Sequence, residues 1–329
     1  MKIIVDTLGA DRGAETIIRG ALKALQKQSS YDLILAADPS VVADLSFDAS
    51  RVEILPAHSF VTNEDDPREM VKGKQDTSMV LSLERLRNDE DAAAMITAGS
   101  TGCALVGSCF HLGLSKGLLQ PALASALPTQ NGKWVILCDC GSNLSPKAKD
   151  LGDYARLSAA FAKAYYVDGE NAPDAGRLPK VGLINVGKEK GKGLALQQEA
   201  FDLLSSMSGE VFDFIGNIEG TDILTGEVDA AVCDGFTGNV LLKALEKAGN
   251  IAAEIAEGQV SGEQADLKET GAQIAEKIRA TFDYNNRAGA VFLGTKKLLI
   301  KAHGAATEDT ITSCILQAVR LLEGGFGKQ

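Results

Sequence analysis

The sequence has no long apolar run. No stretch approaches the roughly 18–20 uncharged residues that a bilayer span needs. The opening MKIIVD passes straight into a strand pattern, so no signal peptide is expected. Histidine is scarce: His58, His111 and His303 are too far apart in the chain to suggest a metal cluster, and no metal is expected. The six cysteines are scattered, and Cys138-x-Cys140 is too tight for a zinc pair. A reduced, cytoplasmic protein is the simplest expectation. Basic residues are the minority, 33 against 44 acidic ones, for a net charge of −11. That balance disfavours a general nucleic-acid binder. A G-x-G-x-x-G turn is missing, which speaks against a dinucleotide enzyme, and no cofactor is expected. No Ser-His-Asp set is evident either.

What is present is a strand, loop and helix repeated along 329 residues, 45% of them hydrophobic. This predicts a single α/β domain over 1–329, built as one body or as two lobes. Lys2–Asp6 reads as a first strand and Glu15–Leu25, with Ile17, Ile18, Ala21, Leu22 and Leu25 at helical spacing, as its helix. Further strands are predicted at Leu33–Ala37, Val52–Pro56, Ala92–Thr97, Lys133–Asp139, Val181–Val186, Phe212–Gly216, Ala230–Cys233 and Leu298–Lys301. Helices are predicted at Cys103–Leu112, Ala195–Leu204 and Thr310–Leu322.

The loops between them carry the chemistry. After Ala230–Cys233 come Gly235-Phe236-Thr237-Gly238-Asn239 and a helix from Val240. Ligands of open α/β sheets bind at the carboxyl ends of such strands, where helix starts offer N–H groups to anions. Gly235 and Gly238 permit a close backbone approach, and Thr237 and Asn239 can donate hydrogen bonds or cap the helix. A capped turn without a ligand explains the same residues. Gly99-Ser100-Thr101-Gly102 repeats the pattern, with two hydroxyls that suit a phosphate. Gly187-Lys188-Glu189-Lys190-Gly191-Lys192-Gly193 is not a Walker A loop, yet it gathers three lysines at a strand end in an acidic protein. Anion binding or plain solvation accounts for them.

Several stretches together resemble one family, the bacterial phosphate acyltransferases of phospholipid synthesis, which make acyl-phosphate from acyl–acyl carrier protein. CDGFTGNVLLK at 233–243 is similar to the family signature. So are Asp76-Thr77-Ser78-Met79, the Asp139-x-Gly141-x-Asn143 loop, Gly187-x-Glu189-x-x-Lys192-Gly193, Phe212–Gly220 and His303-Gly304. The chain departs from the family pattern at Ala10, Arg12, Ser100, Ser145 and Ala305. The resemblance implies a three-layer α/β/α sandwich with a mostly parallel sheet, similar to phosphotransacetylases and isocitrate/isopropylmalate-dehydrogenase-like proteins. It also implies a homodimer and a helical tip near 245–285. The reaction implied is acyl transfer from acyl carrier protein to inorganic phosphate. Phosphate is then the nucleophile, and the protein supplies position and charge.

On that chemistry Ser100, Thr101, Lys188, Lys192 and Gly235 are expected to cradle phosphate. Asn143, Thr237 and Asn239 are expected to donate to the oxyanion. His303 is expected to protonate the leaving sulfur, as an imidazole with an unperturbed pKa near 6.5 can; a strand-end histidine bonded to backbone explains it as well. The basic residues Lys72, Lys74, Lys147, Lys149, Lys296 and Lys297 are the expected docking ground for the carrier. Two other readings share these residues, a coenzyme A enzyme of the phosphotransacetylase or phosphotransbutyrylase type and a non-catalytic acyl- or carrier-binding paralogue. In the tip, Ser261–Gly271 offers only Ala265 and Leu267 as apolar insertions among acidic neighbours. Membrane contact is therefore expected to be weak, or made through a partner acyltransferase.

Overall fold

The computed structural model describes residues 1–43, 45–165, 176–259, 265–282 and 289–326. Ser261–Gln264 of the expected tip, and Asp283-Tyr284, lie outside them. In chain order the elements are β1 (Lys2–Asp6), α1 (Ala14–Lys27), β2 (Asp32–Ala37), α2 (Pro39–Val42), β3 (Val52–Pro56), α3 (Glu69–Lys72), α4 (Ser78–Asn88), β4 (Ala92–Thr97), α5 (Thr101–Gly107), β5 (Ala122–Pro128), β6 (Trp134–Cys138), α6 (Ala148–Tyr165), β7 (Lys180–Ile184), α7 (Ala195–Met207), β8 (Asp213–Ile218), β9 (Ala230–Val232), α8 (Gly235–Gln259), α9 (Ala265–Phe282), β10 (Ala290–Leu293), β11 (Leu298–Lys301) and α10 (Glu308–Glu323). They form an α/β fold with mostly parallel strands and flanking helices. The chain divides into two compact units, Met1–Ala124 with Ala160–Ala175 and Ala288–Gln329, and Ser125–Ala159 with Gly176–Arg287.

In the first unit the strands run β3-β2-β1-β4-β11-β10, with Ala122–Ala124 of β5 beyond β10. From β3 to β11 all neighbours are parallel; β10 is antiparallel to β11 and to β5. Ile3–Val5, Ile34–Ala37, Ala94–Ile96 and Leu299–Ile300 are buried without alternation. Apolar runs of this kind belong to strands covered on both faces. Helices α1 and α10 pack closely at Gly20, where a Cβ would stand 2.6 Å from the Glu308 carbonyl. The Thr312 hydroxyl donates to the Gly20 carbonyl there, at 2.9 Å.

In the second unit β6-β9-β7-β8 are parallel, and the remainder of β5 lies beside β6. Asp229, ahead of β9, accepts from Arg177 at 2.6 Å and from the Lys180 N–H at 2.6 Å, which ties the starts of β9 and β7 together.

Five elements differ from the sequence reading. Strands β5 and β10 were not anticipated: ALASALP is rich in small residues and ends in proline, AVFL has four residues, and their sheet neighbours rather than their own pattern define them. The helix expected over 103–112 starts at Thr101 and widens into a π-helical turn at Ser108–Leu112. The strand expected to reach Val186 stops at Ile184. The loop expected at 235–239 is already helix, because α8 begins at Gly235. In the tip region Ile251 and Ile255 on α8 and Ile274 on α9 are exposed, apolar side chains that a count confined to Ser261–Gly271 passes over.

Candidate active site

The carboxyl ends of β6, β9 and β7 are neighbours, since Cys138 pairs with Val232 and Val232 with Leu183. The organising residue of this edge is Asp139, which is fully buried just past β6. Its Oδ1 accepts the N–H groups of Gly141 and Ser142 at 3.1 and 3.0 Å. Its Oδ2 accepts the Asn143 N–H at 2.6 Å and the Ser142 hydroxyl at 2.9 Å. One carboxylate thus shapes the whole 139–143 loop. The loop lies on the first turn of α8: the Gly235 N–H donates to the Asn143 carbonyl at 2.8 Å. A Cβ on Gly238 would stand 1.9 Å from the Asp139 carbonyl oxygen, and one on Gly235 2.7 Å from that of Asn143. The two glycines make room for protein backbone, not for a ligand.

This packing corrects the expected use of the α8 start. Asp234 caps the helix, taking the Thr237 N–H at 2.9 Å and the Thr237 hydroxyl proton at 2.7 Å. With Gly238 N–H on the Asp234 carbonyl as well, the first turn has little left to offer an anion. In this arrangement the Thr237 hydroxyl donates to Asp234 and the Gly235 N–H to the Asn143 carbonyl, so a ligand would have to displace these bonds to use either donor. Asn143 gives one amide hydrogen to the Tyr154 hydroxyl at 3.1 Å, and its Oδ1 accepts the Ser145 N–H. Asn239 is exposed and lies against Gly141.

The 187–193 loop is fastened from below by two residues that sequence reasoning left as strand and loop filler. Asn185 donates to the Lys192 carbonyl and to Asn217 Oδ1, both at 3.1 Å, and Asn217 donates to the Glu189 carbonyl at 2.9 Å. Gly193 has φ +83°, and a Cβ there would stand 2.5 Å from Asn185. Of the loop's lysines, Lys188 is bound to Asp222 at 2.8 Å, which raises the lysine pKa and lowers that of the carboxyl. Lys190 pairs with Asp202 at 2.7 Å. Lys192 is half exposed and only 3.9 Å from Glu189, a loose pair that an incoming anion can replace. The carrier-docking candidates of this unit, Lys147 and Lys149, are exposed, the latter paired with Asp153 at 3.2 Å.

Three cysteines sit beside this edge, and none is a nucleophile. Cys138, Cys140 and Cys233 are buried, and burial pushes all three thiols well up.

In the first unit Ser100 and His303 stand past the ends of adjacent strands, β4 and β11. The Ser100 hydroxyl accepts the Cys103 N–H at 3.5 Å, while Thr101 is exposed. His303 is exposed and its Nδ1 accepts the Ala305 N–H at 3.1 Å, so the neutral ring carries its proton on Nε2. Arg12, where the family has histidine, donates from Nε to the Ala305 carbonyl at 3.0 Å. Ala305 therefore holds both side chains. The segment 60–74 lies close to the Ser100 turn, with Pro67 3.0 Å from a Cβ on Gly102. Lys74 in that segment is paired with Asp65 at 2.9 Å, and Lys72 is exposed. Lys296 and Lys297 are elsewhere: they precede β11, at the end of the sheet opposite to Ser100 and His303, and the Lys297 ammonium donates to the Ala92 carbonyl at 2.7 Å. Within the first unit the docking lysines thus fall into two groups, Lys72 and Lys74 near the Ser100 turn and Lys296 and Lys297 at the other end of the sheet. Among the described residues no cluster of His, Cys, Asp and Glu could hold a metal.

Beneath the Ser100 turn lies a buried polar layer. Asp6, Thr97 and Lys301 end β1, β4 and β11 in register, at 1%, 0% and 8% exposure. Burial pushes the Asp6 carboxyl up to about 6, against the pull of Ser78, Thr97, the Leu8 N–H and the Lys301 charge. Ser78 faces the carboxyl without meeting hydrogen-bond geometry, and Asp6 Oδ1 has no hydrogen-bond partner among the described residues. The sequence signal was available: IIVD, AMIT and LLIK are apolar runs that each end in a polar residue.

Comparison with known proteins bears on this geometry. A family model described as fatty acid synthesis protein matches residues 1–329. The phosphate acyltransferase of Lacticaseibacillus casei (strain BL23) is 35% identical over 99% of this chain and 93% of its own length. That of Clostridium novyi (strain NT) is 32% identical over 99% and 96%. Among solved structures, a phosphotransacetylase from Streptococcus pyogenes superposes with a TM-score of 0.60 at 17% identity, covering 98% of this chain and 94% of that one; at that identity the likeness concerns the fold. A match along the whole length, together with relatives above 30% identity, establishes that the chain belongs to the phosphate acyltransferase family, described as fatty acid synthesis protein.

Proposed function

We propose that this chain transfers an acyl group from the thioester of an acyl carrier protein to inorganic phosphate, releasing acyl-phosphate for phospholipid synthesis. The observation that carries the reading is the way two glycine loops are held. Thr97 fixes 99–102 and Asn185 with Asn217 fixes 187–193, while Thr101 and Lys192 stay exposed above them. In each unit by itself, rigid backbone beneath an accessible donor is what holding an anionic group in one orientation requires.

In the reaction a phosphate oxygen attacks the thioester carbon, the carbonyl pair moves onto oxygen, and collapse of that oxyanion expels the thiolate. In the first unit Ser100 and Thr101 are assigned to phosphate, and His303 to the departing sulfur, its neutral ring donating a hydrogen bond from Nε2 to the thiolate, which takes its proton from solvent. In the second unit Lys192 is assigned to an anionic group of the substrates, and Asn239 with the second amide hydrogen of Asn143 to the oxyanion. Donors so placed contribute roughly 3–4 kcal/mol each to such a step. The protein works as a homodimer on this reading.

The test is acyl-phosphate formation from purified acyl-carrier thioester and phosphate, with the coenzyme A thioester in parallel. Product from the carrier thioester at the higher kcat/KM is expected. Product from the coenzyme A thioester alone would make this a phosphotransacetylase-type enzyme, and none from either a non-catalytic paralogue.

A further inference from the structure

We propose that Asp6, Thr97 and Lys301 are positioning residues of the acceptor site, clamping the peptide unit ahead of Ser100 and the turn that carries His303. The inference rests on the reading given above for Ser100 and His303. It starts from a single peptide plane, Ala98–Gly99. Its N–H donates to Thr97 Oγ1 at 3.1 Å, and the Thr97 hydroxyl donates onward to Asp6 Oδ2 at 2.8 Å. Its carbonyl accepts the Lys301 ammonium at 3.3 Å. Both ends of one peptide are thus gripped by side chains from two adjacent strands, β4 and β11, and Asp6 of β1 holds the Thr97 hydroxyl from behind.

The same ammonium donates to the carbonyl of Ala302, which belongs to the peptide unit of His303. The Ala302 N–H donates to the Thr97 carbonyl at 2.8 Å. One cation therefore sets two turns at once. Gly99 adds a steric reason for the arrangement: a Cβ there would stand 3.3 Å from the Thr97 hydroxyl and 2.8 Å from Met79. A side chain at 99 would have to push the Met79 methyl aside and would press on the Thr97 hydroxyl.

A buried acid and a buried base are costly to keep, and apolar residues in their place commonly cost nothing or stabilise. Apart from Lys2 at the start of β1, β1, β4 and β11 are otherwise filled with such residues. The polar layer appears only at the carboxyl ends, under the two turns assigned to the chemistry. A fold-only role would be served as well by apolar side chains; holding both poles of one peptide is not.

The test uses Thr97→Val, which keeps the shape and removes the hydroxyl, Thr97→Ser as its conservative rescue, and Lys301→Met, which keeps the stem and removes the ammonium. Steady-state kinetics are run against phosphate and against acyl donor, and hydrogen exchange is followed across 98–104 and 302–306. Loss of a buried hydrogen bond to this turn should raise the KM for phosphate about tenfold. The KM for acyl donor should stay within about twofold, Thr97→Ser should recover most of the loss, and exchange should quicken in both segments. If Thr97→Val does not fold, Lys301→Met decides. A folded variant with unchanged phosphate KM, or with both KM values raised alike, overturns the proposal. If the unmodified protein makes no acyl-phosphate, the functional reading falls, and hydrogen exchange alone decides: unchanged rates in both segments would overturn the clamp.

Discussion

Lys188 and Lys192 sit four residues apart in one loop, and their surroundings give them different prospects. The Lys188 charge is held by Asp222, whereas that of Lys192 has only a loose neighbour at 3.9 Å. Lys192→Ala is therefore expected to raise the KM of the substrate whose anionic group it meets about tenfold, the range for losing a hydrogen bond to a charged group, and to leave the other within about twofold. Lys188→Ala should change either by less. Initial rates with each substrate varied in turn check both. Asp6 offers a second prediction, on stability. Its folded carboxyl titrates near 6, above the ordinary 3.8, so the folded state holds the proton more tightly than the unfolded chain. The associated stability is fully present below pH 3.8 and is lost as pH rises to 6, a change on the order of 3 kcal/mol. The stability of Asp6→Asn minus that of the unmodified protein, from urea unfolding, should climb between about pH 4 and 6 and level off above. A flat difference would mean that Asp6 is not perturbed by its burial. At this scale the sequence was a partial guide. Residue types at the strand ends were legible, but what each proton is already bonded to was not. Thr237 looked like a donor because its partner, Asp234, was read only as the end of a strand.

Strands made of unbroken apolar runs, such as Ile3–Val5 and Leu299–Ile300, were legible because burial on both faces leaves no other use for them. Element starts were less so. The start of α8 was misplaced by five residues because Gly235 and Gly238 read as loop, although tertiary contact with the 139–143 loop demands glycine inside the helix. This makes a specific prediction. Gly238→Ala should destabilise the protein by more than the 1–3 kcal/mol usual for overpacking, since a Cβ 1.9 Å from the Asp139 carbonyl cannot be accommodated by a rotamer change. Asp234→Ala, which removes only the cap, should cost about 1 kcal/mol. Urea midpoints of the two variants should fall in that order. Strands β5 and β10 were illegible for the opposite reason: nothing local marks them, and each exists through its partner.

At the scale of the molecule, a carrier protein rich in acid would meet a chain of net charge −11, so docking must rely on local cations. Lys72 and Lys147 are exposed, while Lys74, Lys149 and Lys297 are partly spent on Asp65, Asp153 and the Ala92 carbonyl. Lys72→Glu and Lys147→Glu are expected to slow carrier association and flatten its dependence on salt, as measured by stopped-flow binding from low to physiological ionic strength. Unaltered association in both would move the docking ground elsewhere. No helix among the described residues is long and apolar enough to cross a membrane. The order of the strands has a further consequence, for the chain as it is made. β11 is the sheet neighbour of β4, yet 203 residues separate Lys301 from Ala98. At about 5–20 residues per second, a ribosome needs roughly 10–40 s to cover that interval. A β4 formed before then would have its β11 edge unpaired, an open template for wrong pairing. The turn before Ser100 meanwhile waits for the ammonium that fastens it, so competence for acyl transfer arrives only once β11 has left the exit tunnel.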